Sequence, residues 1–164
     1  EKCKTTKEGI VAIQSLPVSS NCNILISDKG GNMVVIECNP YQKHIRYPMA
    51  NEHGNKFIIT VNELLSSEMA IHKASQGDTF FSKERYATAE NALLKLKDNP
   101  IDNAKAILSG KCGFMCQYEK RMNFETIWAS IFNLSDLSVY RAEDNPSKCS
   151  FINDSRLKIC SEKS

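Results

Sequence analysis

A chain of 164 residues, 41% hydrophobic and 24% charged with five prolines, has the composition of a globular protein and excludes wholesale disorder. The formal net charge of +2 comes from interspersed positive and negative residues, with no basic stripe to neutralise many phosphates, so nucleic acid is a poor partner. No apolar run approaches the roughly 20 residues that span a bilayer, and the polar stretch Glu1 to Lys7 leads into no apolar region of the signal-peptide kind.

Thr5 or Thr6, followed by Glu8 and the apolar positions Ile10, Val11, Ile13 and Leu16, predicts a short capped helix that Pro17 ends. Asn23 to Ser27 and Met33 to Glu37 predict two strands, joined by the turn Asp28-Lys29-Gly30-Gly31-Asn32. Tyr41 to Tyr47 predicts a third strand and Pro48 to Asn55 a polar loop. Phe57 to Val61 is a β-prone run that ends at Asn62. Leu64 to Lys73 reads as irregular or a short helix, and Gln76-Gly77-Asp78 as a turn. Ser82 opens a helix stopped by Asp98-Asn99-Pro100, and a second helix runs from about Ile101 to Leu108 with Gly110 as its C-cap. Thr126 to Phe132 and Leu137 to Ala142 predict a closing hairpin. Strands, then helices, then strands argue for an α+β layered architecture instead of a parallel βαβ repeat. Residues 1–164 are expected to form a single domain.

Seven cysteines, Cys3, Cys22, Cys38, Cys112, Cys116, Cys149 and Cys160, cannot all pair within one chain. Their irregular spacing points to reduced thiols in a cytoplasmic protein. Cys112 and Cys116 are separated by three residues, not by the two of a zinc or redox pair, and His44, His53 and His72 are scattered. No metal and no cofactor is expected. Gly30-Gly31 belongs to a hairpin turn, not a phosphate loop, and there is no G-x-S-x-G elbow.

Two positions stand out. Asn62 follows an apolar strand, where an amide can donate to a developing oxyanion; the alternative is a strand-terminating asparagine that satisfies loop backbone. Arg85 falls in the first turn of its helix, beside a positive helix end, so another group should hold it there; the alternative is a solvated surface arginine. Glu37 could anchor a site as a carboxylate, but an edge charge is the simpler reading, and Trp128 reads as a core residue sooner than a ligand platform.

The hairpin Cys22 to Glu37, the strand end Ile59-Thr60-Val61-Asn62, the helix opening Ser82-Lys83-Glu84-Arg85, and the late pair Thr126 to Phe132 and Tyr140 to Ala142 with Asn145-Pro146 follow one another in a familiar order. Together they resemble the choloylglycine hydrolase and penicillin acyltransferase group of N-terminal-nucleophile hydrolases, over roughly residues 5 to 150. The resemblance implies a four-layer αββα sandwich, with antiparallel sheets and helices packed outside. It implies a cysteine nucleophile exposed by self-processing, whose α-amino group is the base and whose thiolate attacks a linear amide. Asn62 matches the family's oxyanion-binding asparagine. Arg85 matches its active-site arginine, which favours the thiolate. The family's nucleophile lies far upstream of these motifs, and neither Cys3 nor Cys22 fits it. The expectation is therefore a C-terminal portion lacking the nucleophile segment. Its expected partners are that segment and a small acyl-amide substrate, and a homo-oligomer is compatible with the sequence. A non-catalytic binding module derived from the same fold is the second reading.

Overall fold

The computed structural model describes residues 3–72, 77, 78, 80–116 and 125–156, apart from the side chains of 70–72. They fall in two compact units, within residues 1–95 and 96–164.

In the first unit, helix α1 (Thr6–Ser15) starts on a reciprocal cap. The Thr5 hydroxyl accepts from Glu8 N at 3.2 Å, and the Glu8 carboxylate accepts from Lys4 N at 2.7 Å. The helix ends ahead of Pro17, because a residue before proline is pushed out of the helical region, and Leu16 is extended. Strands β1 (Cys22–Ser27), β2 (Met33–Cys38) and β3 (Lys43–Arg46) form an antiparallel sheet in that order. Asp28 closes the hairpin by accepting from Gly30 N and Asn32 N, while Gly31 supplies the left-handed φ of 80°. Asp28 also accepts from Thr6 N at 2.8 Å, tying the helix start to the turn. That bond leads the interactions that hold its carboxyl at about 2.

The strand period separates two faces. Val34, Ile36 and Cys38 of β2 pack with Ile24 and Ile26 of β1, Ile45 of β3, and Ile10 and Ile13 of α1. Asn23, Val35, Glu37 and Arg46 point to the opposite face, as their register requires. The middle strand is covered on both sides, which is why it reads as a continuous apolar run.

Three expectations change in this unit. The run 57–61 is not a five-residue strand. Lys56–Phe57 (β5) pairs with Met49–Ala50 (β4), inside the expected loop, and Ile58 to Val61 lie outside any strand. Their carbonyls go elsewhere: Ile59 O accepts from Arg46 Nη2 at 2.9 Å, and Val61 O from Asn23 Nδ2 at 2.8 Å. Glu37 is no edge charge; it sits in the middle strand with no exposed surface. A 3₁₀ helix covers Ser67–His72, and Gly77 and Asp78 lie in a turn whose Gln76 is outside the described residues. Helix α2 is Ser82–Leu94, shorter than expected because it ends in Lys95 without reaching Asp98.

In the second unit, α3 (Pro100–Leu108) starts on Asn99, whose side chain accepts from Asp102 N, with proline at the first position. It ends with Gly110 at φ 74°, Gly110 N donating to Ile107 O and Lys111 N to Ala106 O. Strands β6 (Ala129–Asn133), β7 (Ser138–Ala142) and β8 (Ile152–Asn153) pair antiparallel, and α3 packs against β6. The sequence gives β8 no signal beyond a polar tail. Trp128 is no core residue: β6 begins one residue later, and the indole is 59% exposed beside the Arg141 guanidinium, 6.0 Å from its centroid. Buried Asn145 fastens this unit, donating to Cys116 O and accepting from Ser147.

Among the described residues, three small antiparallel sheets and three α-helices make this an α+β protein. Among the described residues no helix is long and apolar enough to cross a membrane.

Candidate active site

Three polar side chains on one face of the β1–β2–β3 sheet each take hold of the segment that follows Ile58. Arg46 from β3 donates to Ile59 O. Asn23 from β1 donates to Val61 O at 2.8 Å and Glu63 O at 2.9 Å. Glu37 from β2 accepts from Leu65 N at 2.7 Å, from Ser66 N at 3.0 Å and from the Ser66 hydroxyl. The Arg46 Nε also lies 2.7 Å from Glu37 Oε1, a charge contact whose N–H direction is poorly aligned for a hydrogen bond. Burial by itself raises the Glu37 carboxyl. The Ser66 and Leu65 hydrogen bonds and the Arg46 charge outweigh it and hold the group below its ordinary value. The carboxylate therefore stays ionised, and the loop amides have a fixed anion to bind.

This scaffold presents Asn62 at the rim of a cavity of about 660 Å³ in the same unit. Arg85, from the start of α2, reaches the same cavity. The two sequence-predicted residues meet directly: Arg85 Nη2 donates to Asn62 Oδ1 at 2.7 Å. Arg85 Nε donates to Phe80 O at 2.9 Å. The unfavourable position of a cation at a helix start is thus offset by two oxygens. The Asp78 charge adds to them, since its carboxylate accepts from Ser82 N and Lys83 N and caps α2. Burial lowers the guanidinium from its ordinary value, and Asp78 offsets part of this.

The Arg85 bond settles which way the Asn62 amide faces. A guanidinium can only donate, so the amide oxygen must point to it. The Asn62 nitrogen then points away, and among the described residues it makes no hydrogen bond. Two residues that line the cavity also carry buried side-chain oxygens without partners among the described residues, Asn23 Oδ1 and Thr60 Oγ1. Asp78, Lys83 and Arg85 line the cavity beside Asn62, a polar lining that suits a polar ligand.

Cys22 is among the residues at the cavity, with its side chain packed against the Val34, Ile36 and Cys38 cluster. Its direct cross-strand partner is Cys38, whose thiol burial and the neighbouring Cys22 push up to about 11. Cys38 is therefore a thiol and not a thiolate near neutral pH. Cys22 is followed by a regular strand and its own nitrogen is a peptide amide, so it is no N-terminal nucleophile. Among the described residues no three His, Cys, Asp or Glu side chains are grouped to hold a metal.

Sequence reasoning missed Asn23, Ser82, Asp78 and Arg46. Asn23 had a signal, because asparagine is disfavoured inside a strand. Asp78, four residues ahead of the helix, sits where no regular cap motif would place it.

The fold and this cavity define an α+β protein with an oriented amide and an arginine at a polar recess. Residues 1–148 match the acyl-coenzyme A:6-aminopenicillanic acid acyl-transferase family, and the chain belongs to that family. No curated protein and no solved structure matches it.

Proposed function

We propose that the chain forms part of a cysteine N-terminal-nucleophile enzyme that cleaves or transfers an acyl group at a linear amide, with Asn62 as oxyanion donor. The observation that carries this reading is the 2.7 Å bond from Arg85 to Asn62 Oδ1 at the cavity rim. It leaves the amide N–H groups without a partner among the described residues, and so able to donate to a developing negative charge. Family membership supports the acyl chemistry, and the family's description names an acyl-coenzyme A donor and a 6-aminopenicillanic acid acceptor.

In the proposed reaction a thiolate adds to the acyl carbonyl, and the carbonyl oxygen takes up the negative charge beside Asn62 Nδ2. Collapse of the adduct expels the amine, which leaves with a proton, or the coenzyme A thiol. Water or an acceptor amine then releases the acyl group from the cysteine. The nucleophile carries a free α-amino group and so is neither Cys22 nor Cys38. We place the remaining parts in the four-layer sandwich of this enzyme class, as its C-terminal portion and in the cytoplasm. The helix on one face of the β1–β2–β3 sheet and the anchored segment on the other are compatible with that layering.

The test is Asn62→Ala in the full-length protein, assayed with an N-acyl nitroanilide and with an acyl-coenzyme A plus 6-aminopenicillanic acid. The expected result is a kcat lower by about 100- to 1,000-fold and a KM moved much less. Unchanged kcat would remove Asn62 from the chemistry. Ligand binding at this cavity with no measurable turnover in the unsubstituted full-length protein would favour the binding-module reading.

A further inference from the structure

We propose that Asn23 is a positioning residue for this reaction: from β1 it clamps the backbone on both sides of Asn62 and so holds the oxyanion donor in place. The proposal rests on the reading of Asn62 given above.

The Asn23 side-chain nitrogen has two hydrogens, and both are engaged, with Val61 O at 2.8 Å and Glu63 O at 2.9 Å. These carbonyls belong to the residues immediately before and after Asn62. Backbone rotation at Asn62 must displace one of them, so pinning both fixes the Asn62 Cα. The amide cannot be turned over, because two carbonyl oxygens accept and never donate. Asn23 itself belongs to a ladder, paired directly with Glu37 across the β1–β2 register. Its reference frame is therefore the sheet and not another loop.

The division of labour is then complete. Arg85 orients the side chain of Asn62 through Oδ1, and Asn23 fixes its backbone. Arg46 at Ile59 and Glu37 at Leu65 and Ser66 hold the same segment farther from the donor. An oxyanion donor works within a narrow geometric window, and a shift of about 1 Å costs on the order of 100-fold in rate. The clamp also accounts for a residue that strand propensity disfavours, and for its buried Oδ1 having no partner among the described residues.

The experiment compares Asn23→Leu, Asn62→Ala and the double variant in the full-length protein, with the same N-acyl nitroanilide. Asn23→Leu is expected to lower kcat about 10- to 100-fold, with KM moved less than about threefold. In the Asn62→Ala background it should cause no further loss, because Asn23 acts through Asn62. An equal loss in both backgrounds, or an unchanged kcat in Asn23→Leu, overturns the proposal. If Asn23→Leu fails to fold, Asn23→Asp carries the comparison at neutral pH, since it keeps the shape and loses both donors. A silent Asn62→Ala would sink the oxyanion reading, and with it the catalytic part of this proposal. Amide exchange at Asn62 to Leu64 then judges the clamp separately: about tenfold or more faster in Asn23→Leu if the clamp holds the segment, unchanged if it does not.

Discussion

Two apolar runs in the unit within residues 1–95 look alike and end differently. Met33 to Cys38 becomes the middle strand of a sheet, with backbone groups paired on both edges. Phe57 to Val61 has similar β propensity, yet only Phe57 joins a ladder, and Ile59 and Val61 give their carbonyls to the side chains of Arg46 and Asn23. Backbone polar groups must be satisfied, and two routes exist. A ladder satisfies them collectively and yields a uniform strand. Capture by individual side chains satisfies them one at a time, and leaves the segment free to turn and present a residue such as Asn62. The second route depends on a few atoms, so single substitutions should undo it.

The largest effect is expected at Glu37. Glu37→Ala leaves the Arg46 guanidinium and the Leu65 and Ser66 amides without their buried partner, and should destabilise the protein by about 3–5 kcal/mol. Denaturant midpoints measure the loss. A change below about 1 kcal/mol would mean that water replaces the carboxylate and that the segment is not anchored there.

Acid should sharpen the same contrast. The Glu37 carboxyl lies below its ordinary value of 4.5, so its ionised form is favoured in the folded state. It contributes stability that is fully present above that value and is lost as pH falls through the lower folded value. Amide exchange at Leu65 and Ser66, corrected for intrinsic rate, should therefore rise in acid before exchange in the β1–β2 ladder does. Simultaneous release of both regions would show that they open as one unit.

The smallest effect belongs to the ladder's turn. Gly31→Ala places a Cβ in open space at φ 80°, so the penalty is backbone strain alone, about 1 kcal/mol. A thermal melt should register a modest fall in Tm, with turnover unchanged. A loss comparable to that of Glu37→Ala would erase the distinction between collective and individual anchoring.

Much of the fold could be read locally. Thr5 and Glu8 announce α1, Asp28 to Asn32 the hairpin turn, and Gly110 the end of α3. Each of these signals is settled within a few residues. The illegible parts were set by distant atoms. Glu37 looked like an edge charge because the strand expected at Tyr41 to Tyr47 does not by itself show which strand it will pair with. Trp128 looked like core because propensity does not reveal where pairing begins. The brief β4–β5 pair and β8 are too short for a periodic pattern.

The site divides in the same way. The sequence by itself determined that Asn62 follows an apolar run and that Arg85 sits uneasily at a helix start, since residue type and local electrostatics suffice for both. Tertiary structure alone decided that Arg85 donates to the Asn62 oxygen, and that Asn23, Glu37 and Arg46 hold the intervening backbone. Those bonds join groups 13 to 40 residues apart. Their geometry follows from strand register and from which face each side chain takes, and neither quantity is written in the residues beside Asn62.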